Sequence, residues 1–285
     1  MANIVLIFIS FIGMLFSSRA VIAEDTDRIA SIDFCADQYL LALTENRRIA
    51  GVSEDAVGDR SMFREKARDL KVVSANLEEL LLLDPAYVLR SWRGSSRGDA
   101  LLKKADIETI QPPYAATFEA AIENFEKVGE LIGEKANGAK LRAIYSQRLK
   151  ELQQLSSYGL KAVYVTPSGF TAGTETYVSK MIELAGFKSY VADYGLQYWA
   201  PLSLEHIANN KPDVVIASFF GDEDVHISHW SSGRHPIYRR LMADIPTIHL
   251  PSRYFSCGST FAVDAVEDIR KQAKLLGLKA EGESR

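Results

Sequence analysis

One frame occurs twice in this chain. Asn76-Leu77-Glu78-Glu79-Leu80 runs through four further residues into Pro85-Ala86-Tyr87-Val88-Leu89. Ser203-Leu204-Glu205-His206-Ile207 runs in the same way into Pro212-Asp213-Val214-Val215-Ile216, and the glutamate-to-proline distance is seven in both copies. Asn76 and Ser203 are good N-caps, and a first-turn glutamate favours the positive end of the helix dipole. The proline ends the helix, and the apolar residues behind it read as a short buried strand. A helix feeding a buried strand is half of a βαβ unit. Two copies at matched spacing therefore predict two α/β lobes of related construction.

The rest of the chain reads the same way. Strands are expected at Arg28 to Asp33, Arg48 to Ser53, Ile107 to Ile110, Lys161 to Thr166, Asp213 to Ala217 and Thr247 to Leu250. Helices are expected at Cys35 to Leu43, Glu175 to Ala185 (ended by Gly186) and Ala262 to Leu276. Phe118 to Leu155 carries one long helical pattern, rich in Ala, Glu, Lys and Leu, with weak points at Gly129, Gly133 and Gly138. As a single helix it would extend about 50 Å, enough to run as a strut from one lobe to the other. The expected division is a signal segment over 1–23, an N-terminal lobe over 24–117, the connecting helix over 118–156 and a C-terminal lobe over 157–285.

Composition narrows the function class. At 47% apolar and 25% charged, the chain can bury a full core. A net charge of -4 leaves no basic footprint for nucleic acid. Ile4 to Phe16 is an almost unbroken apolar run, too short to span a membrane but suited to a signal-peptide core. Ala20 and Ala23 offer cleavage points, the better one before Glu24. Met1-Ala2-Asn3 supplies no lysine or arginine, so an uncleaved anchor is the alternative. The reading is export to the periplasm. Two cysteines, Cys35 and Cys257, permit one disulfide in an oxidising compartment, with two separate thiols as the alternative.

Taken with Trp92-Arg93-Gly94, Thr171-Ala172-Gly173, Trp199 six residues before Glu205, and the stretch Leu250 to Gly258, the repeat resembles the periplasmic binding proteins for cobalamin and ferric siderophores. The resemblance covers nearly the whole mature chain. It implies an α/β fold of two Rossmann-like lobes joined by one long rigid helix, with the ligand in a cleft between them. It implies a monomer with no intrinsic cofactor and no enzymatic activity, and a metal chelate as ligand. The partner it implies is an ABC permease dimer in the inner membrane with its cytoplasmic ATPase. In that family one surface glutamate per lobe docks into arginine pockets of the permease, and the matching positions are Glu78 and Glu205. The alternative is that both glutamates only cap their helices.

Ligands of such sheets lie outside the carboxyl ends of the strands. That places the loops beginning at Phe34, Ser53, Arg90, Pro112, Pro167, Phe219 and Ser252 around the cleft. Ligand-binding candidates on them are Trp92 with Arg90 and Arg93, Tyr114, Phe170, and Tyr198 with Trp199. Further along are Phe219 with Phe220, Trp230 with Arg234, and Arg253 with Tyr254. Large rings suit a flat or aromatic-faced ligand, and arginines suit its carboxylate, phosphate or catecholate groups. The arginines put a ferric siderophore ahead; Trp92 and Trp199, in the family's cleft positions, point instead to a corrinoid, with heme a further alternative. His226 and His229 have a metal-compatible spacing. With Tyr254 they resemble the histidine–tyrosine pair that completes an iron coordination sphere in some catecholate-siderophore relatives, and loop histidines without a metal are the other reading.

An enzyme is the rival class. The chain has no phosphate loop, no Gly-x-Ser-x-Gly elbow and no dinucleotide fingerprint after its first strand. A chelate scavenger with no permease is a third reading.

Overall fold

The computed structural model describes residues 27–92, 94–219, 240, 243–255, 257 and 261–282. The apolar N-terminal run expected as a signal segment lies outside these.

The first half of the chain builds one parallel sheet. β1 (Ile29–Ser31) is fully buried and passes into α1 (Phe34–Leu43), whose N-cap Asp33 accepts from the amides of Cys35 and Ala36. β2 (Ile49–Gly51), α2 (Arg64–Ala67), α3 (Leu77–Leu83), β3 (Tyr87–Leu89), α4 (Ser96–Lys104) and β4 (Glu108–Ile110) follow. The four strands lie in the order β2-β1-β3-β4, all parallel.

The second half repeats the plan. β5 (Lys161–Val165), β6 (Phe170–Thr171), α7 (Tyr177–Leu184), β7 (Lys188–Ser189), β8 (Ala200–Pro201), α8 (Leu204–Asn209), β9 (Val214–Ser218), β10 (Thr247–Leu250) and α9 (Ala262–Leu275) succeed one another. The second sheet is ordered β7-β5-β9-β10, again all parallel, while β6 and β8 pair antiparallel beside it. Counted within its own lobe, each sheet has the order 2-1-3-4. The repeated frame supplies the third strand of both, β3 and β9. Its caps form as the sequence demands: the Asn76 side chain accepts from the Glu79 amide and Ser203 from the His206 amide. The fold is therefore two Rossmann-like lobes of one topology.

The connecting segment corrects the single-helix expectation. It is two helices, α5 (Phe118–Leu131) and α6 (Lys135–Gln153). They run antiparallel: Gln153 donates to Glu119 at 3.2 Å at the open end, and Arg142 pairs with Glu126 at 2.6 Å midway. The glycines that look like weak points of one helix are what make the hairpin. Gly133 takes φ +75° in the turn, a conformation that strains any residue with a Cβ. A Cβ on Gly138 would fall 2.6 Å from the Phe125 carbonyl oxygen, and one on Gly129 would fall 3.0 Å from the Gly138 Cα. Helical periodicity continues through the turn because both helices bury a face, so pattern alone hides the reversal. Gly138→Leu is expected to wedge the pair apart and cost about 2–3 kcal/mol in chemical denaturation. An unchanged midpoint would mean that the close crossing is not needed.

The hairpin joins the lobes through aromatic packing. Phe125 of α5 and Tyr145 of α6 stack at 5.4 Å, and both reach Phe261 at the start of α9, at 5.9 and 6.0 Å. Phe63 and Tyr39 of the first lobe meet this group at Phe261 and Phe125. One hydrophobic core thus runs through both lobes and the hairpin. Ion pairs flank it: Arg48 binds Glu134 at the hairpin turn at 2.5 Å, and Arg148 of α6 binds Asp264 and Glu267 of α9 at 2.8 and 2.6 Å.

Periodicity also misses α4, the short β7 and the β6–β8 pair. Only Leu102 of α4 is buried, so the helix carries almost no apolar stripe.

Candidate functional site

Segments that leave the carboxyl ends of the two sheets are joined covalently. Cys35, at the end of the β1–α1 turn, is bonded to Cys257 in the loop after β10, with the Cα atoms 5.4 Å apart and 222 residues between them in sequence. The bond ties lobe to lobe on the side where ligands of parallel sheets bind, and the crevice opens there where the strand order reverses, between β1 and β3 and between β5 and β9.

The crevice walls of the first lobe are held by two carboxylates. Asp33 accepts from the Ser91 amide at 2.6 Å and the Ser91 hydroxyl at 2.7 Å, bridging the ends of β1 and β3 immediately before Trp92. Asp37 is fully buried and accepts from the Ser31 hydroxyl, the Ser53 amide at 3.0 Å and the Ser53 hydroxyl at 2.5 Å. Burial pushes its carboxyl above the usual range, and the serine hydrogen bonds oppose that shift. Asp37 thereby fixes the loop after β2.

Among the described residues five aromatic rings are exposed, and all five are expected site residues: Trp92, Tyr114, Phe170, Tyr198 and Trp199, from 41% for Phe170 to 92% for Tyr114. Trp92 follows β3. Tyr114 follows β4 on a loop pinned by Asn124, whose amide donates to the Pro113 carbonyl at 2.6 Å. Phe170 lies on β6, and Tyr198 and Trp199 lead into β8 beside it. Trp199 rests edge-on against Tyr164 of β5, 5.8 Å between centroids, and Phe255 packs on Tyr164 at 5.2 Å. In the frame of the repeat the second copy lies 212 − 85 = 127 positions on, so Trp92 coincides with Phe219. Phe219 is partly exposed and holds φ +66°, a strained backbone for a bulky residue at the β5/β9 switch point.

Gly173 explains the Thr171-Ala172-Gly173 motif. A Cβ there would lie 2.4–2.5 Å from the backbone of Gln197 and Tyr198, and the Gly173 amide donates to the Tyr198 carbonyl at 3.1 Å. The glycine lets one backbone close on the other and so sets where Tyr198 and Trp199 stand. Ser168 sits in a tight turn with its hydroxyl 3.0 Å from that of Thr166.

The cations behave differently from the rings. Arg90 is 8% exposed; its guanidinium pairs with Asp99 of α4 at 2.6 Å and lies 5.8 Å from the centre of the Trp92 ring. It is held between the Trp92 ring and α4, because the end of a central strand offers a long side chain the space between sheet and helix. Arg253 covers the Tyr254 ring at 5.4 Å. The Tyr254 hydroxyl is pushed above its usual range, first by burial and then by Asp268, which disfavours a phenolate. Arg93, Phe220, His226, His229, Trp230 and Arg234 lie outside the described residues. Among the described residues no cluster of three or more His, Cys, Asp or Glu side chains is placed to hold a metal ion.

Glu78 and Glu205 are both exposed. A helix that feeds a parallel strand runs back against it, so α3 and α8 begin at the carboxyl edges of their sheets, on the cleft side of each lobe. Glu79, by contrast, is committed to the amide and hydroxyl of Ser74, at 3.0 and 2.6 Å. Sequence reasoning missed Asp33, Asp37, Asp99 and Tyr164. Only Asp33 left a local signal, as an N-cap before an apolar run.

Residues 29–223 match the periplasmic binding protein family. The chain belongs to that family. A curated relative, the cobalamin-binding protein of Halobacterium salinarum, is 26% identical over 210 residues, covering 70% of this chain and 56% of that protein. The match thus spans little more than half of the relative's length. Among solved structures, the periplasmic heme-binding protein HutB of Vibrio cholerae aligns at TM-score 0.66 with 18% identity, over 87% of this chain and 98% of that one. The heme-binding protein RhuT from Roseiflexus sp. RS-1, in its apo form, aligns at 0.65 with 20% identity, over 88% and 99%. The vitamin B12-binding protein BtuF of Vibrio cholerae aligns at 0.60 with 18% identity, over 89% and 98%. At these identities the likeness is one of fold.

Proposed function

We propose that this family member is the substrate-binding component of an ABC importer, working in the periplasm, and that its cargo is a metal-centred tetrapyrrole, a corrinoid before a heme. The observation that carries the ligand class is the set of five exposed rings on the carboxyl edges of both lobes. A cleft walled by Trp92, Tyr114, Phe170, Tyr198 and Trp199 offers extended flat surface, which a macrocycle can cover and a small ion cannot. The order of ligands differs from the sequence expectation of a ferric siderophore for a physical reason. That expectation leaned on cleft arginines, and Arg90 is buried, neutralised by Asp99 and screened by the Trp92 ring. An Arg90 paired in this way suits the neutral amide periphery of a corrinoid better than a trianionic chelate, and the cobalamin-binding relative supports the same choice. Heme stays the second reading because HutB and RhuT, which share this fold, are heme-binding proteins.

In this reading the rings bind and orient the macrocycle, the disulfide and the shared core keep the lobes near their loaded spacing, and Glu78 and Glu205 present the loaded clamp to a permease dimer with its ATPase. Tryptophan quenching of the mature protein by cyanocobalamin, heme and a ferric siderophore, corrected for absorbance, is the deciding titration. Saturable tight binding of cyanocobalamin is expected; saturation by the siderophore alone would overturn the ligand assignment. Trp92→Ala should weaken binding by about 1–3 kcal/mol, a loss of roughly 5- to 150-fold. Unchanged affinity would remove Trp92 from the site.

A further inference from the structure

The arrangement behind Trp92 bears on which chelates the cleft accepts. The Arg90 guanidinium is a permanent cation, and it covers one face of the half-exposed Trp92 ring, 5.8 Å from its centre, which leaves the other face for a ligand. Gly94 closes on it from one side: a Cβ at that position would fall 1.9 Å from Nη1. Asp99 meets it from α4 at 2.6 Å. Asp99 also lines a surface groove of about 490 Å³ with Lys103, Asp106 and Glu108, and its side chain is 35% exposed.

A ligand stacked on Trp92 would sit about 9–10 Å from the guanidinium, adding a stacking distance of about 3.5 Å to the observed one. At an effective dielectric of about 20, an uncompensated charge at that range changes affinity by roughly tenfold per ligand charge. Without a counter-charge, Arg90 would favour anionic chelates through the ring that binds them.

We propose that Asp99 is a specificity-determining residue: by neutralising Arg90 it makes the Trp92 wall electrostatically blank, so that the cleft loses the preference for anionic over neutral macrocycles that the bare guanidinium would impose. The proposal deepens the tetrapyrrole reading above and rests on it. A purely structural role for the pair, anchoring α4 to the end of β3, predicts something different. Breaking an anchor would weaken all ligands alike, whereas unmasking a charge sorts them by charge.

The test is a cycle read as the ratio of heme to cyanocobalamin affinity, since heme carries two carboxylates and cyanocobalamin has no net charge. Asp99→Asn keeps the side chain's shape and removes its charge, and the ratio should rise tenfold or more in favour of heme at low ionic strength. The rise should shrink as salt screens the interaction. In the double variant Asp99→Asn with Arg90→Met the ratio should return to within about threefold of wild type, because the charge being unmasked is gone. An unchanged ratio in Asp99→Asn overturns the proposal, and so does a shift that persists in the double variant. Wild-type protein that binds neither ligand overturns the tetrapyrrole reading and this proposal together, while wild-type binding with a flat ratio overturns this proposal alone.

Discussion

Cys35→Ser together with Cys257→Ser is expected to lower folding stability by up to about 5 kcal/mol, read as a shift of the denaturant midpoint under non-reducing conditions. The bond spans 222 residues, nearly the whole described chain. Cross-linking so long a loop restricts the unfolded ensemble strongly, and the loop-entropy relation places the effect near 5 kcal/mol at this length. The figure is a ceiling because residual structure in the unfolded chain already restricts the loop. Reducing the wild-type protein should reproduce the shift. A midpoint unchanged by either treatment would show that the core alone keeps the lobes in register. The same bond sits on the cleft side, so its loss should also raise the rate at which ligand leaves, with the folded-state circular dichroism unaltered.

The second large effect concerns delivery. Glu78→Ala with Glu205→Ala should abolish ligand uptake in cells while leaving solution affinity within about twofold. Both carboxylates are exposed at helix starts on the cleft side of their lobes, and neither lies in a ring wall. Alanine at a first-turn position costs the helix only a few tenths of a kcal/mol through the lost dipole interaction, too little to unfold either lobe. A charge-assisted pair with arginine across an interface is worth far more than that. Uptake that survives the double substitution would return both residues to a capping role. Loss of ligand affinity alongside uptake would place them in the binding site instead.

Some of this architecture was legible without coordinates. The Asn76 and Ser203 frames predict α3–β3 and α8–β9 because caps, first-turn glutamates and prolines act within a turn or two of their own position. Their duplication gives two lobes of one topology, and the rings to look for follow from the rule that ligands lie at strand carboxyl ends. What the sequence could not decide depends on residues far apart in the chain. Helical periodicity runs through Gly133 whether the segment extends or folds back; only the packing of Gly138 against Phe125 reverses it. Cys35 and Cys257 are free or bonded until the segments after β1 and β10 are brought together. Arg90 has no visible partner until Asp99 is placed beside it and the Trp92 ring against it. Local chemistry writes the elements and the list of candidate side chains, because its interactions decay within a few residues. Which of those side chains meet, and whether a charge faces the cleft or a counter-ion, is settled by contacts that exist only once the lobes have packed.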